Sequence, residues 1–135
     1  MNKALIAALA AAIVLGTTAP ALAYNADQLA KVRNGEKNCA GFDLSGAILP
    51  ERMSNVNLSG ANLKGANLSK DNLSKAILDY TTLRGANLSG ADLSGSDLTG
   101  ADLTGADLTG TDLHGAKLAG TKLTGATMPD GTKHP

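Results

Sequence analysis

The chain has 135 residues, 12 basic and 12 acidic side chains, 43% hydrophobic but only 2% aromatic residues, and a single cysteine. Balanced charge argues against general electrostatic binding to nucleic acid or anionic lipid, which needs a basic excess. The length suits one small domain, and so few aromatics suit a thin aliphatic core better than a conventional globular one.

Residues 1–23 stand apart from the rest. Lys3 is the only charge before an apolar run from Ala4 to Leu15, and Ala21-Leu22-Ala23 supplies the small-x-small pattern of a signal-peptidase site. This predicts a secretory signal peptide cleaved after Ala23. An uncleaved anchor is the alternative, but the run falls short of the roughly 20 residues that span a bilayer. Without Lys3 the product carries 11 Lys/Arg against 12 Asp/Glu. No membrane association is expected after cleavage, and the expected compartment is a periplasm or an equivalent lumen. Residues 24–36 read as a short capping helix, with Asn25 as N-cap, Gln28 completing a capping box, and Asn34-Gly35 as a left-handed stop. Leu29 and Val32 share one face, which predicts a lid on whatever follows; a partner-binding helix is the other reading.

From residue 37 to 130 one pattern dominates. Leucine recurs every fifth residue from Leu58 to Leu123, in the formula Ala-(Asn/Asp)-Leu-(Ser/Thr)-Gly, as in Ala101-Asp102-Leu103-Thr104-Gly105. A helix repeats near 3.6 and a half-buried strand near 2, so neither is the repeating element. A short unit that cannot bury its own apolar face must stack on copies of itself, which predicts a solenoid. The leucine and the small residue two before it would face inward, the Asn/Asp and Ser/Thr outward, and the Gly would make the corner. These residues resemble the pentapeptide-repeat family over roughly residues 37 to 130. The resemblance implies an all-β fold, a right-handed quadrilateral β-helix in which four pentapeptides form a coil of about 20 residues.

Departures from the formula are the candidates for function. Cys39 falls on an inward place and reads as core, with an intermolecular disulfide or a reactive thiol as alternatives. Between Leu44 and Met53 one residue is missing from the count near Pro50, which predicts a bulge or bent coil at Glu51 to Met53, or a harmless kink. Lys70, Lys75 and Tyr80 replace corner glycines, and Asp71 takes an inward place. Side chains with a Cβ resist positive φ, so these corners are expected to use another turn. A second reading makes Lys70, Lys75, Asp79, Tyr80 and Arg84 one partner-binding strip, since Tyr and Arg are favoured at interfaces.

Further on, stacking at intervals of one coil predicts ion pairs Asp97–Lys117 and Asp102–Lys122 and a like-charge stack of Asp92 on Asp112, with hydroxyl ladders between coils. Pro129 and Asp130-Gly131 end the array, and 131–135 read as a polar tail. Relatives often dimerise or are capped at this end, so a homodimer through the C-terminal end is expected. Equivalent carboxylates on a convex rod offer neither a catalytic cleft nor converging metal ligands. The expectation is therefore no enzyme, no catalytic residue, no cofactor and no metal, but an exported interaction or scaffold protein with an unknown protein partner and no nucleic acid. The N-terminal helix and repeat entry look like those of cyanobacterial and thylakoid-lumen members. The family's other known mode, mimicry of DNA to bind gyrase or a related topoisomerase, is the alternative.

Overall fold

The computed structural model describes residues 23–135. The expected signal peptide therefore lies outside the described residues except for Ala23. Helix α1, Ala26–Arg33, begins where the Asn25 Oδ1 accepts the Gln28 N–H at 3.1 Å. Asp27 in the first turn and Lys31 and Arg33 in the last complement the helix dipole. Gly35, at φ +89°, lets the chain leave the helix. The capping box is only half made. Gln28 Oε1 accepts the Asp43 N–H at 2.7 Å instead of turning back to Asn25, whose own N–H donates to Asp43 O at 2.9 Å. Helix start and first coil are thereby clamped together, with Leu29 and Val32 buried.

Beyond the helix each pentapeptide contributes a single bridging residue, paired in parallel with the coil on either side in the interior of the array, rather than a strand. The chain of pairings Asn57 to Ile77, Ile77 to Asp97 and Asp97 to Lys117 advances 20 residues at each step, so four five-residue sides make one coil. Three N–H groups per side reach a neighbouring coil. On one side Leu98 donates to Lys117 O, Gly100 to Ala119 O and Asp102 to Thr81 O, while Ala101 N–H closes the corner on Leu98 O. The polar backbone is thus consumed between coils, as a solenoid requires. Leu58 through Leu108 fill the lumen at 1% exposure or less. Each buried leucine contributes on the order of 1.5–3 kcal/mol.

Cys39 belongs to this core and is free and fully buried. Burial, with Glu36 adding to it, raises its thiol pKa. Its Sγ lies 3.2 Å from Glu36 O.

The register change near Pro50 is a short side, not a bulge. Bridges up to Ile48–Asn67 span 19 residues and those from Arg52–Asn72 onward span 20. Four residues instead of five take the chain from Ile48 to Arg52. Pro50 has no N–H, and among the described residues the N–H groups of Glu51 and Arg52 make no hydrogen bond.

The corners also correct the sequence reading. Lys70, Lys75 and Tyr80 have φ of +61°, +58° and +56°, with Asn55 at +60°, so they adopt the same left-handed turn as the glycines rather than another type. Each costs about 1–2 kcal/mol relative to glycine's freedom. The coil enforces it: Lys75 N–H reaches Ser94 O and Tyr80 N–H reaches Thr99 O, both at 2.9 Å, only in this conformation.

The tube ends asymmetrically. The last residues fold back, with Thr127 and Lys133 forming an antiparallel bridge and His134 N–H reaching Ala126 O at 2.8 Å. Ala126 is sealed, whereas Leu113 and Leu123 are half-buried and Leu118 is 38% exposed.

Candidate interaction surface

Outward side chains follow a local rule that the sequence pattern did not reveal. Where Asn or Asp stands before a leucine, its Oδ1 accepts the N–H of the residue after it, and in most sides with a Ser or Thr there it accepts the hydroxyl as well; Asn57 and Asp97 take the N–H alone. Asp92 takes Ser94 N–H at 2.9 Å and Ser94 Oγ at 2.6 Å, and Asn87 does the same for Ser89. The expected hydroxyl bonds between coils occur at Thr111 and Thr121, which donate to Leu88 O and Leu98 O; elsewhere the outward hydroxyls make these clips within a side, because the two groups are already neighbours across the leucine. The same bonds hold the carboxyls of Asp92, Asp97, Asp102, Asp107 and Asp130 below their ordinary range.

The predicted ion pairs are also revised. Asp97 and Lys117 stack, as do Asp102 and Lys122. Among the described residues, however, the salt bridge is Arg84 to Asp102, 3.2 Å from Nη1 to Oδ2. Asp92 does stack on Asp112.

The candidate strip does not form one strip. Positions 70, 75, 80 and 85 are four successive corners of one coil, so Lys70 and Tyr80 occupy opposite corners. What the fold brings together are the two sides that meet at Tyr80. One runs from the Lys75 corner through Ile77 and Asp79, and the next carries Thr82 and Arg84. On both the clip is missing: Ile77 and Asp79 stand where an acceptor and a hydroxyl donor would be, as do Thr82 and Arg84. Asp79 Oδ1 is buried without a partner.

Tyr80 is 68% exposed, Ile77 42%, and the Arg84 side chain 52%. The Tyr80 ring leans over the next corner down, where a Cβ added to Gly100 would lie 2.6 Å from Cε1 and 2.7 Å from Cδ1. Gly100 thus supplies both the turn and the seat for the ring. Lys70 and Lys75 lean on Gly90 and Gly95 in the same way, at 3.4 Å from the added atom. Ile77 was not among the sequence candidates; its outward register, in the Asn/Asp place before Leu78, was the available signal.

The family model for pentapeptide repeats matches eight copies over residues 52–90 and 86–125. The chain belongs to the pentapeptide repeat family. Among solved members, Rfr23 from the cyanobacterium Cyanothece 51142 is 27% identical, with 81% of this chain and 98% of that chain covered and a TM-score of 0.39. A pentapeptide repeat protein from Nostoc PCC 7120 is 37% identical over 76% of this chain and 78% of its own, with a TM-score of 0.43. One from the thylakoid lumen of Arabidopsis thaliana is 32% identical over 70% and 67%, with a TM-score of 0.37. No curated protein matches the chain. As a pentapeptide repeat protein it presents side chains outward from a filled tube, and among the described residues no group of three or more His, Cys, Asp or Glu could hold a metal ion.

Proposed function

We propose that this pentapeptide repeat protein is an exported, non-catalytic interaction protein, a right-handed quadrilateral β-helical rod that binds a protein partner through the corner at Tyr80. The supporting observation is Tyr80 itself. An aromatic ring is held 68% exposed at a corner where its φ of +56° is costly, on a seat that only glycine provides. Backbone strain is a mark of function when the surroundings over-determine it, and of the four non-glycine corners, at 55, 70, 75 and 80, this one carries the aromatic ring. Lys75, Ile77, Asp79 and Arg84 frame the ring with mixed charge and one apolar neighbour, a composition suited to a protein surface rather than to a phosphate backbone. Lys70, on the opposite corner, lies outside this surface.

Export rests on the first 23 residues of the sequence, with a periplasm or thylakoid lumen as the destination; among the described residues no helix is long and apolar enough to cross a membrane. The open C-terminal end, with Leu113, Leu118 and Leu123 incompletely covered, supports a homodimer formed through it. Mimicry of DNA toward gyrase would need a coherent line of negative charge. The Asp residues at 92, 97, 102 and 107 instead fall on four successive sides.

The test is a photo-crosslinking residue at position 80, with position 70 as the control, in cells that produce the protein. One abundant protein adduct from position 80 and none from position 70 is expected. Correct processing with equal or absent adducts at both positions overturns the Tyr80 assignment.

A further inference from the structure

Inside the tube, polar side chains are accommodated by one device. Thr81 and Ser96 donate their hydroxyls to the carbonyls of Leu78 and Leu93, at 2.6 and 2.7 Å, and Thr111 donates to Leu88 O at 2.7 Å. Asp71 is the exception. It occupies an inward place, is 3% exposed, and its Oδ2 has no hydrogen-bond partner. A carboxylate has no hydrogen to donate to the carbonyls that line such a place, whereas a neutral carboxyl has the same O–H as its threonine and serine counterparts.

What lies above Asp71 is the short side. Its stacking neighbour in that direction is Glu51, which is exposed rather than packed into the lumen. The side from Ile48 to Arg52 is tied to the coil below by Leu49 N–H to Asn67 O at 3.1 Å and by Asn72 N–H to Glu51 O at 2.8 Å, with nothing from Pro50, Glu51 or Arg52 as donors. A side that lacks the usual corner bonds is the cheapest part of the tube to open. It also meets the C-terminal end of the helix, where Arg33 Nη2 donates to Ile48 O at 2.7 Å, while the helix start is held at Asp43 on the side before it.

We propose that Asp71 is a proton-operated latch on the first coil: neutral, it lies sealed beneath the short side, and ionised, it drives that side and helix α1 open to reach water. The charged group that faces it from the coil above is Glu51. From the coil below it meets Ala91, along its own coil Leu68 and Leu73 flank it, and Lys70 leans outward over Gly90. Burial, reinforced by Glu51, raises the Asp71 carboxyl from 3.8 to about 7. The native coil therefore holds a proton that the opened one releases. Closure is strongest at acid pH and weakens as pH rises through the window from 3.8 to about 7.

Amide hydrogen exchange, read as protection factors corrected for intrinsic rates, tests this at pH 5.5 and pH 8. If the open state has an ordinary carboxyl, protection at Leu49, Met53 and Val56 should fall roughly tenfold to thirtyfold between the two. Leu93 and Leu98, in the regular coils, should keep theirs. Asp71→Asn, which imitates the neutral form, should abolish the difference, and Asp71→Ala provides the same reading if the amide variant does not fold. Glu51→Gln should move the midpoint to lower pH. The proposal is overturned if the first coil shows no pH dependence, if the dependence survives Asp71→Asn or Asp71→Ala, or if all coils lose protection equally.

Discussion

Replacing Gly100 by alanine tests whether the Tyr80 ring is seated on its corner or merely near it. Gly105, at φ +69° with nothing within 4 Å of an added Cβ, isolates the cost of the left-handed turn. That cost is about 1–2 kcal/mol, offset by about 0.4–1 kcal/mol from the reduced freedom of the unfolded chain. Gly105→Ala should therefore destabilise by about 1 kcal/mol. Gly100, at φ +67°, carries the same term, but its new methyl would sit 2.6 Å from the Tyr80 ring, which must swing away. Tyr80 is about one-third covered. For a side chain of about 200 Å² this is roughly 65 Å², and losing that contact costs about 1.5 kcal/mol. Gly100→Ala should thus cost about 2–3 kcal/mol, read from urea unfolding followed by circular dichroism with the slope checked for constancy. In a Tyr80→Gly background the excess over Gly105→Ala should vanish. Equal costs for the two alanine variants, or an excess that persists without the tyrosine, would refute the seat.

The Arg84–Asp102 pair is exposed on the arginine side, so Arg84→Ala should cost no more than about 1 kcal/mol in low salt and nothing measurable in 1 M NaCl, by a double-mutant cycle with Asp102→Asn. Cys39, fully buried, should resist a thiol reagent in the folded protein and react at the rate of unfolding; fast labelling of folded protein would contradict its place in the core. The clipped carboxyls of Asp92, Asp97, Asp102 and Asp107 have folded pKa values below 3.8, so their stabilisation is complete above that value and is lost as pH falls through the folded ones. Asp71 acts in the opposite sense, and thermal unfolding should show greatest stability between the two regimes, near pH 4–5, with Asp71→Ala flattening only the neutral limb.

The leucine period, the inward place of Cys39 and the missing residue near Pro50 were legible because they are matters of counting, and counting sets register in a stacked coil. The corner conformation was not. A left-handed Lys75 or Tyr80 is locally unfavourable, and sequence reasoning assigned another turn. The coil overrides that preference because abandoning the turn would strand the N–H bonds to Ser94 and Thr99. The candidate surface was misdrawn for a related reason. Lys70 and Tyr80 are close in sequence, but ten residues are half a coil, and nearness along the chain becomes opposition across it. The partner of Asp102 was equally out of reach: register brings Lys122 beneath it, but side-chain direction decided for Arg84 from the coil above.

The departures from the formula are not scattered. The short side at residues 48–52, the four occupied corners at 55, 70, 75 and 80, the buried Asp71, the outward Ile77 and the Arg84 end of the ion pair all fall between residues 48 and 84, less than two coils of the tube. A solenoid makes this concentration physically inexpensive. Each coil contacts only its neighbours, so strain and an unpaired carboxyl stored in one band do not propagate into the regular units from Asn87 onward. Those units can supply stability while the band carries a costly aromatic and a titrating group. Returning the band to the formula, with Ala at 71 and Gly at 70, 75 and 80, should therefore leave the rod folded while removing both the exposed ring and the response to pH. A rod in which those changes unfolded the distant coils would not be one-dimensional in this sense, and the separation between a stable shaft and a specialised band would fail with it.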